Sequence, residues 1–165
     1  MNKTIFKSYS STKFSLILSK TYYIWLGIFV SLICYPVSAQ NTVTIDDDIA
    51  TQPITLSGNT SGNLEVIEMS QTESTPTGYC DGYISPQPNH LLELESFFDY
   101  LKLEVESPAD TTVLIKGNGG VWCNDDSGSA NPMIEGQWQQ GQYQVWVGSY
   151  QPDTSNSYQI KVTGK

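Results

Sequence analysis

The stretch DTTVLIKGNGGVWCNDDSGSANPMIEGQWQQGQYQVWVGSYQPDTSNSYQIKVTG, Asp110–Gly164, decides the fold. Apolar residues recur in it at every second position: Val113/Ile115, Tyr143/Val145/Val147 and Tyr158/Ile160/Val162. Clusters of Gly, Asn, Pro and Asp separate these runs. A period of two sends alternate side chains to opposite faces of a strand, so each run reads as a short antiparallel strand with one face buried and one wet.

The same pattern extends upstream. Phe98 to Glu106 is the clearest strand, with Leu101, Leu103 and Val105 inward and Lys102, Glu104 and Glu106 outward. Further strands are predicted at Pro53–Gly58, Asn63–Glu68, Tyr79–Ser85 (despite Asp81-Gly82), His90–Glu95, Thr111–Lys116, Val121–Asn124, Met133–Trp138, Gln142–Ser149 and Ser157–Thr163. Short strands with turn signals about every ten residues predict an all-β sandwich or barrel. Past the first forty residues no segment carries a convincing helical period, and no repeat of fixed length is present.

Those first forty residues are different in kind. Lys3, Lys7, Lys13 and Lys20 form a basic region, Tyr22 to Tyr35 is uncharged and mostly apolar, and Val37-Ser38-Ala39 precedes Gln40. This is the pattern of a secretory signal peptide over residues 1–39. Its apolar run of about 14 residues is shorter than the roughly 20 that span a bilayer, so no stable membrane anchor is expected after cleavage. A lipoprotein would use Cys34, but Ile33 stands before it where a small residue is needed. The remainder divides into an N-terminal extension, 40–52, and the β domain, 53–165.

Cleavage changes the charge. All 17 Asp and Glu follow Gln40, whereas only Lys102, Lys116, Lys161 and Lys165 remain, a net of 4 − 17 = −13, and there is no Arg. Such a chain repels phosphate backbones, which excludes nucleic acid as a partner. Its acidity serves solubility outside the cell, or attracts divalent cations. Two cysteines survive, Cys80 and Cys123. In an oxidising compartment they are expected to pair. Closing a loop of about 43 residues stabilises by roughly 4 kcal/mol.

The order of a strand ending in Gly-Asn-Gly-Gly, an acidic Asn-Asp-Asp loop, a Gly-Gln-Tyr strand and a last Tyr-bearing strand resembles the bacterial pre-peptidase C-terminal domain. The likeness covers roughly 53–163 and is best at Asp110–Ile115 and at Gly141–Val147, which resembles that family's Gly-x-Tyr-x-x-x-Val strand. It implies an antiparallel, jelly-roll-like β-sandwich with an accessory or targeting role, sometimes with bound calcium, and it brings no catalytic residues. The paired cysteines and the Trp-Cys-Asn-Asp-Asp segment are not general features of the family and suggest a subgroup of stand-alone secreted domains.

Three groups of residues are candidates for chemistry. Trp122, Trp146 and Tyr150 are read as outward aromatics, because Trp146 is out of phase with Tyr143, Val145 and Val147, and Trp122 with Val121 and Cys123. Rimmed by Gln137, Gln139, Gln140, Gln142 and Gln144, such rings stack on sugars or on a peptide. The competing account has them covering the end of the sandwich or the disulfide. Asn124, Asp125 and Asp126 are the candidate calcium ligands, short oxygen donors on a turning backbone that also suit a plain tight turn. His90, Asp99 or Asp110, and Ser127 fall in a His-Asp-Ser order, but the flanking residues match no such enzyme and the chain is too short for the two barrels that hold such a triad. The resulting expectation is a secreted, non-catalytic binding module for an extracellular polysaccharide or protein. A small secreted hydrolase and a purely structural envelope protein are the alternatives.

Overall fold

Strand alternation and turn chemistry resolve into two packed sheets. The computed structural model describes residues 42–165, so the expected signal peptide and Cys34 lie outside the described residues. In chain order the strands are β1 (Thr42–Ile45), β2 (Ile54–Asn59), β3 (Leu64–Glu65), β4 (Ser74–Thr75), β5 (Gly78–Tyr79), β6 (Tyr83–Ile84), β7 (His90–Leu94), β8 (Phe98–Glu106), β9 (Thr111–Gly117), β10 (Gly120–Asn124), β11 (Met133–Trp138), β12 (Gly141–Ser149) and β13 (Ser157–Gly164). One helical turn, α1 (Val66–Ser70), lies between β3 and β4.

The larger sheet runs β1–β7–β12–β9–β10, with β6 following β7 along the same side of β12 and β3 beyond it. The smaller runs β11–β8–β13–β2, antiparallel throughout, and β4–β5 form a separate ribbon. The fold is therefore the expected all-β sandwich. Asn89 joins β6 to β7, and its side-chain oxygen accepts from Val147 N at 2.9 Å, completing the pairing of β12 where the backbone of its neighbour turns away.

The sequence expectations need three corrections. The 40–52 extension is not an appendage: β1 pairs in parallel with β7, and Ile45 and Ile49 are core residues. Its signal is weak because only Val43 and Ile45 alternate before three aspartates, of which Asp46 accepts from Asp48 N at 3.1 Å to start a 3-10 turn. Asn63–Glu68 is a strand only at Leu64–Glu65, after which the chain coils into α1 and ends it at Gln71 with φ 60°. Tyr79–Ser85 breaks at Asp81-Gly82, where Gly82 takes φ +88°.

The principal core fills the space between the sheets. Leu101, Leu103, Val105, Ile160 and Val162 from the smaller sheet meet Leu92, Leu94, Val113, Ile115, Val145 and Val147 from the larger. Each such side chain stabilises by roughly 1.5–3 kcal/mol on burial. Glycines let two tyrosine rings lie across their neighbouring strands: Gly117 faces Tyr143, Gly58 faces Tyr158, and a Cβ at either would overlap ring atoms.

A second apolar cluster lies on the opposite face of the larger sheet. Leu114, Cys123 and Trp146 cluster there with Ile84 of β6 and with Val66 and Cys80 from the segment between β3 and β6, and Met69 and Val121 pack at the margin. The covering segment, residues 66–82 between β3 and β6, is tied down by Cys80–Cys123, whose α-carbons are 5.0 Å apart, so the expected disulfide is present. Thr77 Oγ1 donates to Cys123 O at 2.8 Å, Asn124 Nδ2 donates to Thr77 O, and Lys116 Nζ donates to Met69 O at 2.8 Å. These bonds explain why Thr111–Ile115 is buried on both faces of its strand.

Candidate functional site at the Tyr150 end

The three candidate aromatics part company in the structure. Trp146 does lie opposite Tyr143, Val145 and Val147, but that face is covered and the residue is only 3% exposed. It is removed from the binding surface, and among the described residues its Nε1 has no hydrogen-bond partner. Trp122 is out of phase with Val121 and Cys123 as read, but the faces are the reverse of those expected. It pairs in register with Ile115 and so faces the interior, while Val121 and Cys123 face the second cluster. Half-buried, it packs on Trp138 and Tyr143 with ring centroids 6.3 and 6.2 Å away. A narrow slot of about 150 Å³ remains beside it, edged by Thr77, Glu135 and Gln137. Tyr150 alone is strongly exposed, at 51%.

Tyr150 stands where β12 leaves the sheet, on a base fixed by buried hydroxyls. Ser149 Oγ donates to Thr60 Oγ1 at 2.7 Å, Asn156 N donates to the same Thr60 oxygen at 2.9 Å, and Thr60 is fully buried. Tyr150 N donates to Asp110 O at 3.3 Å, and Asp153 N to Gly62 O at 2.9 Å. Tyr150 lines a cleft of about 320 Å³ together with Glu65, Ile67, Asp81, Tyr83 and Pro152 among others. It also lines a second, of about 280 Å³, with Asp110 and Thr154. Loss of solvent pushes the Asp110 carboxyl upward, and the charges of Asp126 and Asp125 add to the effect.

The lysines are elsewhere. Lys102 pairs with Glu104 at 2.7 Å, Lys161 stands opposite Glu104 and Thr55 on the smaller sheet, and Lys165 lies 4.2 Å from the Tyr100 ring centre. Lys116 is bound to Met69 O. Among the described residues no lysine lines either cleft beside Tyr150.

The acidic loop is built as a turn around Asn124. This residue is buried, its Oδ1 accepts from Ser127 Oγ at 2.9 Å and Met133 N at 3.2 Å, and its Nδ2 donates to Thr77 O. With both lone pairs engaged, Asn124 is corrected from calcium ligand to structural residue. Among the described residues no group of three or more His, Cys, Asp and Glu is placed to hold a metal ion.

The His-Asp-Ser order does not become an arrangement. Ser127 Oγ bonds Asn124, whereas His90 Nε2 and Tyr158 Oη are 2.9 Å apart, joining one sheet to the other. Burial lowers the His90 pKa and raises that of Tyr158, against a lowering bond from Asn89. Asp99 is exposed on β8.

Sequence reasoning missed the cleft residues around Tyr150. Glu65, Ile67, Asp81 and Tyr83 were read as parts of regular strands, and only the Asp81-Gly82 pair signalled a break.

The sequence matches no protein-family model. A curated relative, an uncharacterised protein of Synechococcus elongatus, is 31% identical over 88 residues, or 51% of this chain and 65% of that protein's length. Solved structures similar to this chain include the pre-peptidase C-terminal domain of collagenase from Bacillus anthracis, with TM-score 0.43 and 10% identity over 75% of this chain and 96% of that one. They also include a periplasmic inhibitor of g-type lysozyme from Aeromonas hydrophila, with TM-score 0.37 and 9% identity over 77% and 100% of the two chains. A surface-associated copper-binding protein of Methylomicrobium album gives TM-score 0.36 and 8% identity over 76% and 98%.

Proposed function

We propose that this protein is an exported, non-catalytic accessory module that binds an extracellular polymer or protein through its Tyr150 end. The observation that carries the reading is the exposed Tyr150, which lines two clefts and directly follows a hydroxyl-bonded base at Ser149. An exposed aromatic side chain has few rotatable bonds to fix, and a hydrogen-bonded backbone beneath it lowers the ordering cost further, which suits an interface anchor. Export is supported by the signal-peptide pattern and by a disulfide that closes 43 residues. The hydrolase alternative is disfavoured because His90 and Ser127 are each hydrogen-bonded to other side chains.

The test is retention of the full chain on insoluble polysaccharide and protein matrices, with and without EDTA. Tyr150→Ala is expected to reduce retention at least tenfold with an unchanged melting temperature, and Ser127→Ala to leave it intact. Equal retention of wild type and Tyr150→Ala on every matrix that binds would contradict the proposal. So would hydrolysis of an ester or peptide substrate that disappears in Ser127→Ala.

A further inference from the structure

Resting on that reading, we infer that the occupant of the Tyr150 cleft is a basic polypeptide segment, with an arginine or lysine side chain laid over the Tyr150 ring. Three features of the cleft select this chemistry. Its lining supplies carboxylates from two separate elements, Glu65 before α1 and Asp81 before β6, and among the described residues no cation. Asp81 Oδ1 accepts from Gly82 N at 3.2 Å, which leaves its second oxygen as an acceptor. The aromatic face of Tyr150 attracts a guanidinium or ammonium group, and Ile67 and Pro152 offer apolar surface to the methylene stem that carries it.

The surroundings reinforce the choice. Asp110 borders the second cleft that Tyr150 lines and feels the charges of Asp125 and Asp126, so negative potential extends over both clefts. The four lysines that follow Gln40 are held at the smaller sheet, at the C-terminus or against Met69. Acidic polysaccharides and phosphate polymers meet like charge here, whereas a basic protein surface is drawn in and oriented.

The experiment is fluorescence anisotropy of labelled hexa-arginine, hexa-glutamate and a neutral hexasaccharide with the full chain at low salt. Hexa-arginine is expected to bind, to weaken at least tenfold in Tyr150→Ala and in Glu65→Gln/Asp81→Asn, and to dissociate as salt rises. Asp99→Asn/Glu106→Gln, which removes the same charge from exposed positions on β8, is expected to change binding by less than twofold. Equal weakening by the two double variants would overturn the inference in favour of diffuse charge attraction, and no hexa-arginine binding would overturn it outright. Tyr150-dependent binding of the neutral hexasaccharide alone would overturn the basic-segment inference while leaving the binding-module reading standing. Loss of Tyr150 dependence for every probe would remove both.

Discussion

The two faces of the larger sheet bury their side chains by different means. On the inner face, strands pair their apolar residues with a second sheet of the same kind, and alternation alone specifies the contact. On the outer face, a short helical turn and a two-stranded ribbon are pinned over Leu114, Cys123 and Trp146 by one disulfide and a set of threonine and asparagine bonds. The contrast teaches that alternation gives the phase of a side chain but not whether its face is covered. Trp146 and Tyr150 illustrate this within one stretch of chain, since the first is sealed under the covering segment and the second projects beyond its edge.

If the outer cluster is a true core, Trp146→Ala should cost about 3–5 kcal/mol in urea unfolding, comparable to a large truncation between the sheets. Trp146→Phe should cost less, about 1–2 kcal/mol, because it keeps a ring and removes an N–H that has no partner among the described residues. A cost near zero for Trp146→Ala would mean that the outer face is loosely covered.

The staple comes next in size. Cys80→Ala/Cys123→Ala should lose about 4 kcal/mol. Hydrogen exchange should then locate the first loss of protection in residues 66–82, while β8 and β13 keep theirs. Simultaneous loss in both sheets would show that the two clusters unfold as one.

A smaller effect belongs to the inner face. Burial depresses the folded-state pKa of His90 below 6.5, so the unfolded chain takes up the proton first. The contribution is fully present above the unfolded pKa and is lost as pH falls through the lower folded pKa. Unfolding measured from about pH 7 to 5.5 should show stability declining on acidification, with a shallower slope in His90→Gln. An identical slope in the variant would assign the decline to the carboxylates.

The smallest expected effect concerns calcium. With Asn124 engaged in the turn, Asp125 and Asp126 are the candidate ligands left on this loop, with Asp110 near enough to feel their charge. Millimolar calcium is expected to leave the melting temperature unchanged. A rise of several degrees that is abolished by Asp125→Asn/Asp126→Asn would establish the ion on this loop.

How far the residues could be read follows the same division. Phe98–Glu106 and Met133–Trp138 were legible to the residue because turn chemistry bounds each strand, even though the second shifts register between Gly136 and Trp138. The pairing of Cys80 with Cys123 was legible from export and cysteine number. Val66, Leu114 and Trp146 were not, because their partners are brought together only by the disulfide-linked segment, and no local period marks such a contact. Trp122 was assigned the wrong face because Val121 and Cys123, both apolar, pack in the second cluster rather than the first. The cleft beside Tyr150 assembles residues from α1, β6 and the turn after β12, which share no sequence pattern at all.

Amide chemical-shift mapping of the full chain with unlabelled hexa-arginine tests the central claim most directly. The account predicts perturbations confined to residues 65–67, 81–83, 109–112 and 149–153, which vanish in Tyr150→Ala. Perturbations centred on Trp122 and residues 135–138, or spread evenly over every acidic face, would contradict it.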